Sequence, residues 1–366
     1  MLLAFRNLVQ DTLRFFLSVI GIALGVMLIL FLLGLRQGVF QSTMVYLEHT
    51  PGSIAVLPAG VTSSHGHGQI VPAATVARIA ATPGVARAIP VVLQQAALEL
   101  HGKKEIVQLV GYDADLGGGP WQLAAGREPS ADNEIVVDRA LAGRHRLHVG
   151  QSFDIKGHPL TVVGLSNQTA TFTGAYVFGR VGLLETLTLA PGGASYVIVT
   201  PAPGTARNDL MAALRTLPGT SVVPKQTVMD KDRAILSQAL DQVVFLMVAA
   251  AFVVGALVVG LVIYSATVER RSEYGILKAI GARSRMLYRV VAWQALIAAS
   301  AGSLLGIGLA FAFGSLVTTL KPQFLVSIGL STILITLAAG FIMAVAGALV
   351  PARAVTSLAP AEVFRR

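Results

Sequence analysis

Four stretches of this chain, 15–35, 242–268, 290–320 and 322–352, contain no Asp, Glu, Lys, Arg or His. About 20 apolar residues rising about 1.5 Å each cross a ~30 Å hydrocarbon core, so every window is long enough to span a bilayer. Only 13% of the 366 residues are charged and 54% are hydrophobic, against roughly a quarter charged in a soluble domain. The chain therefore reads as a membrane protein, with about 200 residues of mixed composition set between its first and second spans. Arg6 and Arg14 precede the first window as they would in a cleaved signal peptide. Its length, and the sequence RQGVFQ where a small-x-small cleavage site would have to follow, favour an uncleaved anchor.

Charge sets the topology. The N-terminus, the 269–289 segment and the C-terminus together hold eleven basic residues and four acidic ones, whereas 36–237 holds 16 basic and 14 acidic. The excess of +9 is thus concentrated on one side of the membrane. The positive-inside rule places both termini and the 269–289 loop in the cytoplasm, and 36–237 outside. Nucleic-acid binding is not needed to explain a basic chain, and none is expected. There is no cysteine, hence no disulfide framework and no thiol chemistry.

Residues 1–14 place Leu2, Phe5, Leu8, Val9 and Leu13 near helical spacing, which suits either an amphipathic helix on the inner surface or the first turns of the span. In the outer region, 53–58, 105–112, 133–138, 159–165 and 195–201 are β-branched runs bounded by Gly or Pro and predict strands. Segments 73–82, 139–147 and 205–217 predict helices, the last opening on a Thr205 cap. An α+β domain follows, with the glycine-rich 117–131 as a lobe junction and 58–72 as a mobile loop. The 230–268 stretch has no Pro and no Gly before Gly255, which predicts one helix running from the outer domain into the second span.

No span carries an ionisable residue, as ion-coupled transporters usually do. Gly21-x-x-x-Gly25 and Gly302-x-x-x-Gly306 offer small faces for close helix packing. No phosphate-binding G-x-x-x-x-G-K-[ST], H-E-x-x-H or G-x-S-x-G is present, so the chain reads as non-enzymatic, with any energy supplied from elsewhere. His65 and His67, spaced H-x-H in a loop, could hold a metal or haem iron, but loop histidines are more often solvated, and no metal site is assigned. Trp121 is read as core and Asp241 as a polar anchor at the interface.

The densest charge, ERRSEYGILKAIGARSRM at 269–286, separates the second and third windows. A helix over 272–280 would put Tyr274, Ile276, Leu277 and Ile280 on one side, stopped by Gly281, with Ser284 capping the next helix. Such a helix suits a groove on a cytoplasmic partner or a surface of anionic lipid, and the pattern alone leaves both open. ERRSEYGILKAIGA resembles the coupling segment of the FtsX/MacB/LolC-type ABC transporter permeases. RNLVQDTLRFFLSVIGIALGV, NEIVVDRALAGRHRLHVGQSFDIKGHPLTVVGL and PARAVTSLAPAEVFR resemble the same family's opening, extracytoplasmic and closing segments. Tyr274 departs from the commoner Ile.

The resemblance implies four transmembrane helices and one large α+β extracytoplasmic domain between helices 1 and 2. Its parts would be an amphipathic helix at 1–14, spans at 15–35, 238–268, 285–318 and 323–350, the MacB-like domain at 36–237, a coupling helix at 269–284 and a tail at 351–366. It implies that Glu269, Arg270, Glu273, Gly275, Lys278 and Gly281 contact a separate ATPase subunit, which binds ATP and Mg while this chain holds no cofactor. Two permeases and two ATPases would form the assembly in a bacterial plasma membrane. Nucleotide-driven movement of the spans would drive the outer domain (the mechanotransmission, or type VII, arrangement). The cargo is expected to be an amphiphile such as haem, a drug or a lipid, with Met44 and Tyr46 either lining an outer cleft or only packing. The segment TFTGAYVF at 171–178 resembles the haem- and glycolipid-exporter branches. The competing expectations are a non-transporting regulator of an extracytoplasmic partner, and a passive anchored binding protein.

Overall fold

Inside hydrocarbon a backbone must satisfy its own N–H and C=O groups, and all four apolar windows lie largely in helices. The structure is a computed structural model that describes residues 12–64, 69–100, 102–155, 158–172, 174–188, 193–269, 284–321 and 323–356. Its long helices are α1 (Thr12–His49), α6 (Lys225–Glu269), α7 (Ser284–Leu320) and α8 (Leu330–Thr356). Each contains a stretch long and apolar enough to cross a membrane. Two helices outrun their apolar windows. The first stays helical to His49 although charge returns at Arg36, and α6 starts at Lys225, well before its charge-free stretch opens at Gln242. The chain divides into a membrane unit (Met1–Gly38, Leu240–Leu320, Val326–Arg366) and an outer unit (Val39–Ala239, Lys321–Leu325).

Between α1 and α6 the chain builds β1 (Ile54–Pro58), α2 (Ala73–Ala80), β2 (Val85–Leu100), β3 (Lys103–Tyr112), β4 (Leu123–Gly126) and β5 (Glu134–Asp138). There follow α3 (Arg139–His145), β6 (Ser152–Ile155), β7 (His158–Ser166), β8 (Ala170–Thr171) and β9 (Gly174–Arg180). The last part comprises α4 (Val181–Thr188), β10 (Tyr196–Pro201), α5 (Arg207–Leu214) and β11 (Thr220–Pro224). The strands join in the order β11-β1-β10-β2-β3-β9-β5-β7-β4, with β6 on β7 and β8 on β9. Pairing is antiparallel except for β3 with β9 and β5 with β7.

The sixteen-residue β2 organises this sheet. Its first half, through Val91, pairs with β10, and from Val92 onward it pairs with β3. One apolar core (Ile54, Val56, Ile79, Val197, Leu210) fills the first lobe and a second (Leu109, Ile135, Leu141, Val162, Val177) fills the other. The lobes therefore meet along β2. The glycine run expected at the junction instead makes a close turn: Gly117 and Gly118 have positive φ, and a Cβ on Gly119 would come within 2.3 Å of the Tyr112 ring edge. Downstream of it, β4 forms the sheet edge on β7.

Asp138 closes β5 and opens α3. Its Oδ1 accepts from the Ala140 and Leu141 amides at 2.8 and 3.1 Å, and its Oδ2 from the Thr169 hydroxyl at 2.7 Å. The expected Thr205 cap does not form: α5 is capped by Ala206 without a side-chain hydrogen bond. The Thr205 amide instead donates to Ala202 in the preceding turn, and its methyl lies where a Cβ on Gly84 would come within 2.8 Å.

In the membrane unit, glycines allow backbones to approach. A Cβ on Gly302 would lie 2.7 Å from Ile22 Cβ, and one on Gly306 would lie 2.6 Å from the Ala23 carbonyl, so α7 crosses α1 there. Gly21 faces Val258 of α6 at 2.6 Å and Gly25 faces Met343 of α8 at 3.1 Å by the same construction. A contact with backbone on both sides joins Gly260 and Gly347, where a Cβ on Gly347 would sit 2.8 Å from the Ala256 carbonyl and 3.0 Å from the Gly260 amide. Backbone cannot yield as a side-chain tip can. Gly347→Val should push α6 from α8 and cost about 1–3 kcal/mol, read as a lowered Tm in detergent, whereas Gly308→Val, with nothing within 4 Å, should leave the Tm unchanged.

Candidate functional sites at the two ends of α6

The inner end of α6 closes on Glu269, which is exposed, and α7 resumes at Ser284. Arg270, Glu273, Gly275, Lys278 and Gly281 lie outside the described residues, as do residues 1–11 of the expected amphipathic helix and the loop histidines His65 and His67. Of the residues expected to meet an ATPase, the structure thus places Glu269 alone, at the terminus of a helix that also reaches the outer unit.

The outer end is built from α1 and α6 together. Met44 and Tyr46, expected either at a cleft or in packing, are 0% and 2% exposed. They lie in a core with Tyr112, Tyr176, Phe178, Tyr196, Val228 and Met229. The Tyr46 hydroxyl donates to the Gly118 carbonyl at 2.7 Å, which ties α1 to the glycine turn. Its ring stands 5.6 Å from Tyr176 and 6.5 Å from Trp121. Trp121 also stacks on His49, with ring centroids 4.8 Å apart and planes at 17°. Thus TFTGAYVF supplies a central strand, with Tyr176 and Phe178 in the core. Burial pushes the Tyr176 and Tyr196 phenols well above their ordinary range, with the Asp232 carboxylate adding to it. Three buried polar atoms among the described residues, Trp121 Nε1, Tyr196 Oη and Thr200 Oγ1, have no hydrogen-bond partner.

Polar clasps secure the start of α6. Lys225 Nζ donates to the Leu47 and Thr50 carbonyls, each at 3.0 Å, and so satisfies acceptors left open at the end of α1. Asp232 is 4% exposed. It accepts from the Ser63 hydroxyl at 2.5 Å, the Ser64 amide at 3.1 Å and the Ser64 hydroxyl at 2.5 Å. Residues 63–64, expected in a mobile loop, are held by these bonds. Nearer the membrane, Arg36 Nε and Nη2 meet the two Asp241 oxygens at 2.6 and 3.0 Å. That fork joins the outer ends of the first two spans in the bidentate geometry that favours arginine. Asp241 was expected to be only a polar anchor. The missed signal was Arg36, an opposite charge at the matching end of the other window.

Against this geometry, two family models match in chain order: the MacB-like periplasmic core domain over residues 15–217 and the FtsX-like permease C-terminal domain over 245–360. The chain belongs to the FtsX/MacB family of ABC transporter permeases. It is 24% identical over 309 residues to an uncharacterized ABC transporter permease of Mycobacterium tuberculosis, covering 84% of each chain. It is 24% identical over 246 residues to HrtB of Staphylococcus haemolyticus, a permease named for a hemin transport system, covering 66% of each. The periplasmic region of MacB from Actinobacillus actinomycetemcomitans aligns over 50% of this chain and 92% of its own, at 12% identity and a TM-score of 0.40.

Because two charges and two helices meet at Arg36–Asp241, the pair is open to a mutant cycle. Arg36→Ala and Asp241→Ala should each lower stability, and the double variant should lose less than their sum by about 1 kcal/mol. Thermal unfolding of the four proteins in detergent measures the coupling.

Proposed function

We propose that this permease exports an amphiphile, powered by a separate ATPase docked on the 269–284 segment at the cytoplasmic face of a bacterial plasma membrane. The carrying observation is α6: a single helix joins β11 of the outer unit to Glu269, at the edge of the charged segment that matches the FtsX-like domain. A push at that segment reaches the outer unit through hydrogen-bonded backbone rather than through a loop. Positive-inside asymmetry supports cytoplasmic termini, and permease relatives support an ATPase partner. The working unit we propose is two permeases with two ATPases, the nucleotide and Mg being held by the ATPases. Of the amphiphiles, haem is the first to try, because one relative is named for hemin transport. Met44 and Tyr46 would then act as the buried root of the outer unit, and they would meet cargo only if that core opened.

Reconstitution tests this directly. In proteoliposomes containing the chain and its ATPase, ATP hydrolysis should be stimulated by haem or another amphiphile, with cargo crossing only when both proteins and ATP are present. Glu273→Lys should cut that stimulated activity by about tenfold or more, equal to ~1.4 kcal/mol, and reduce recovery of the ATPase with the permease. If hydrolysis responds to an extracytoplasmic protein and no small molecule moves, the chain is a signal-transducing regulator instead.

A further inference from the structure

The short connector between α7 and α8 groups with the outer unit: Lys321–Leu325 cluster with Val39–Ala239, whereas the chain from Val326 returns to the membrane unit. Two side-chain contacts are seen there, from Arg144 of α3 and from Phe172 between β8 and β9. Arg144, in the last turn of α3, donates from Nη1 to Gln323 Oε1 at 2.8 Å. Phe172, between β8 and β9, meets Phe324 edge-on with ring centroids 6.0 Å apart and planes at 64°. Arg144 is held in place for this contact. Its Nη2 lies 3.6 Å from Glu105 Oε2, and Glu105 Oε1 lies 2.9 Å from Nε2 of the buried His145. Immediately beyond the connector, the Ser327 amide donates to the Gly34 carbonyl of α1 at 2.9 Å. A Cβ on Gly34 would lie 2.9 Å from Ile328 and 3.1 Å from Val326.

The character of the grip matters. Phe172 remains 44% exposed and the Arg144–Gln323 bond is solvent-accessible, so water competes for the polar part and the apolar part is only half sheltered. Such contacts hold a preferred state without locking it. The connector's second half, by contrast, is set against a helix backbone at a glycine. We infer that Arg144, Phe172, Gln323 and Phe324 form a releasable latch through which the outer domain holds the α7–α8 pair. Nucleotide-driven movement of the spans opens it in each cycle. The latch rests on the ABC permease reading for its driving force, and it adds a third attachment to those made by α1 and α6.

This chain contains no cysteine, so the introduced pair are its only thiols; a cysteine-free ATPase variant removes competing thiols, and gel mobility separates bridges within one chain from bridges between the two permeases. Arg144→Cys with Gln323→Cys, and separately Phe172→Cys with Phe324→Cys, are bridged in membranes by a short bifunctional methanethiosulfonate that a reductant removes. The full complex with its ATPase is compared nucleotide-free and after trapping with ATP and vanadate. Bridging should be fast at rest and should fall about tenfold on trapping, a shift of ~1.4 kcal/mol in the open–closed balance. The bridged complex should lose stimulated ATP hydrolysis, and reductant should restore it. No bridging at rest, equal rates in both states, or unchanged turnover when bridged would overturn the latch while leaving the permease reading intact. If the cysteine-free parent complex shows no ATP-driven activity, the permease reading fails and takes the latch's driving force with it.

Discussion

Backbone hydrogen bonding does not stop at the membrane surface in this chain. Within the bilayer it is obligatory, because no water is available to satisfy an amide. In α1 and α6 it continues after the obligation has lapsed, to His49 at one end and from Lys225 at the other. What maintains it there is tertiary packing rather than propensity. Met44, Tyr46, Val228 and Met229 are buried in the same core as the sheet residues Ile89, Val110 and Phe178. The last turns of α1 and the first turns of α6 are therefore part of the outer unit's own core. The long exposed apolar face of α6 (Phe245, Leu246, Leu257, Leu261) is what a helix in lipid shows.

Each polar contact at the outer end closes a backbone or charge deficit that the architecture creates. Ending α1 leaves carbonyls open, and Lys225 fills two of them. Putting Arg36 next to the hydrocarbon leaves a cation, and Asp241 offers both oxygens to it. Burying Asp232 beneath residues 63–64 needs donors, and two serines and an amide supply them. The Lys225 and Asp232 contacts lie within the outer unit, and the Arg36–Asp241 pair lies at the start of the membrane unit. The four charge-free windows leave the charged residues of these helices beyond the window ends.

Much of the architecture was legible in the sequence for physical reasons. The spans announce themselves by the absence of charge, and the β-branched runs at 53–58, 105–112 and 195–201 read as strands because they are short, apolar and bounded by Gly or Pro. The long β2 did not, since Pro90 and the polar pair Gln94–Gln95 interrupt its pattern, and its pairing on two different partners is a tertiary fact. For the same reason the lobe boundary was sought in a glycine run that serves close approach to Tyr112. Gly302 and Gly306 are visible as a motif, but Gly260 and Gly347 belong to different helices, and only the fold shows that they meet. Asp241 stands out at the end of its window, but its pairing with Arg36 does not, because the two are 205 residues apart in the chain. The coupling residues came from family resemblance, and all but Glu269 fall outside the described residues.

The central claim is that an unbroken α6 carries motion from the charged inner segment to the outer domain. Spin labels on Arg207 of α5 and on Leu257 within the span, measured in the assembled complex without nucleotide and after vanadate trapping, report that motion as a change in distance. The parent complex should show a shift between the two states. A variant with Leu236, Ser237 and Gln238 all replaced by glycine, which weakens the helix by about 1 kcal/mol per position, should still hydrolyse ATP but lose the shift. An equal shift in the glycine variant would contradict the claim, since motion would then be reaching the outer domain without the continuous helix.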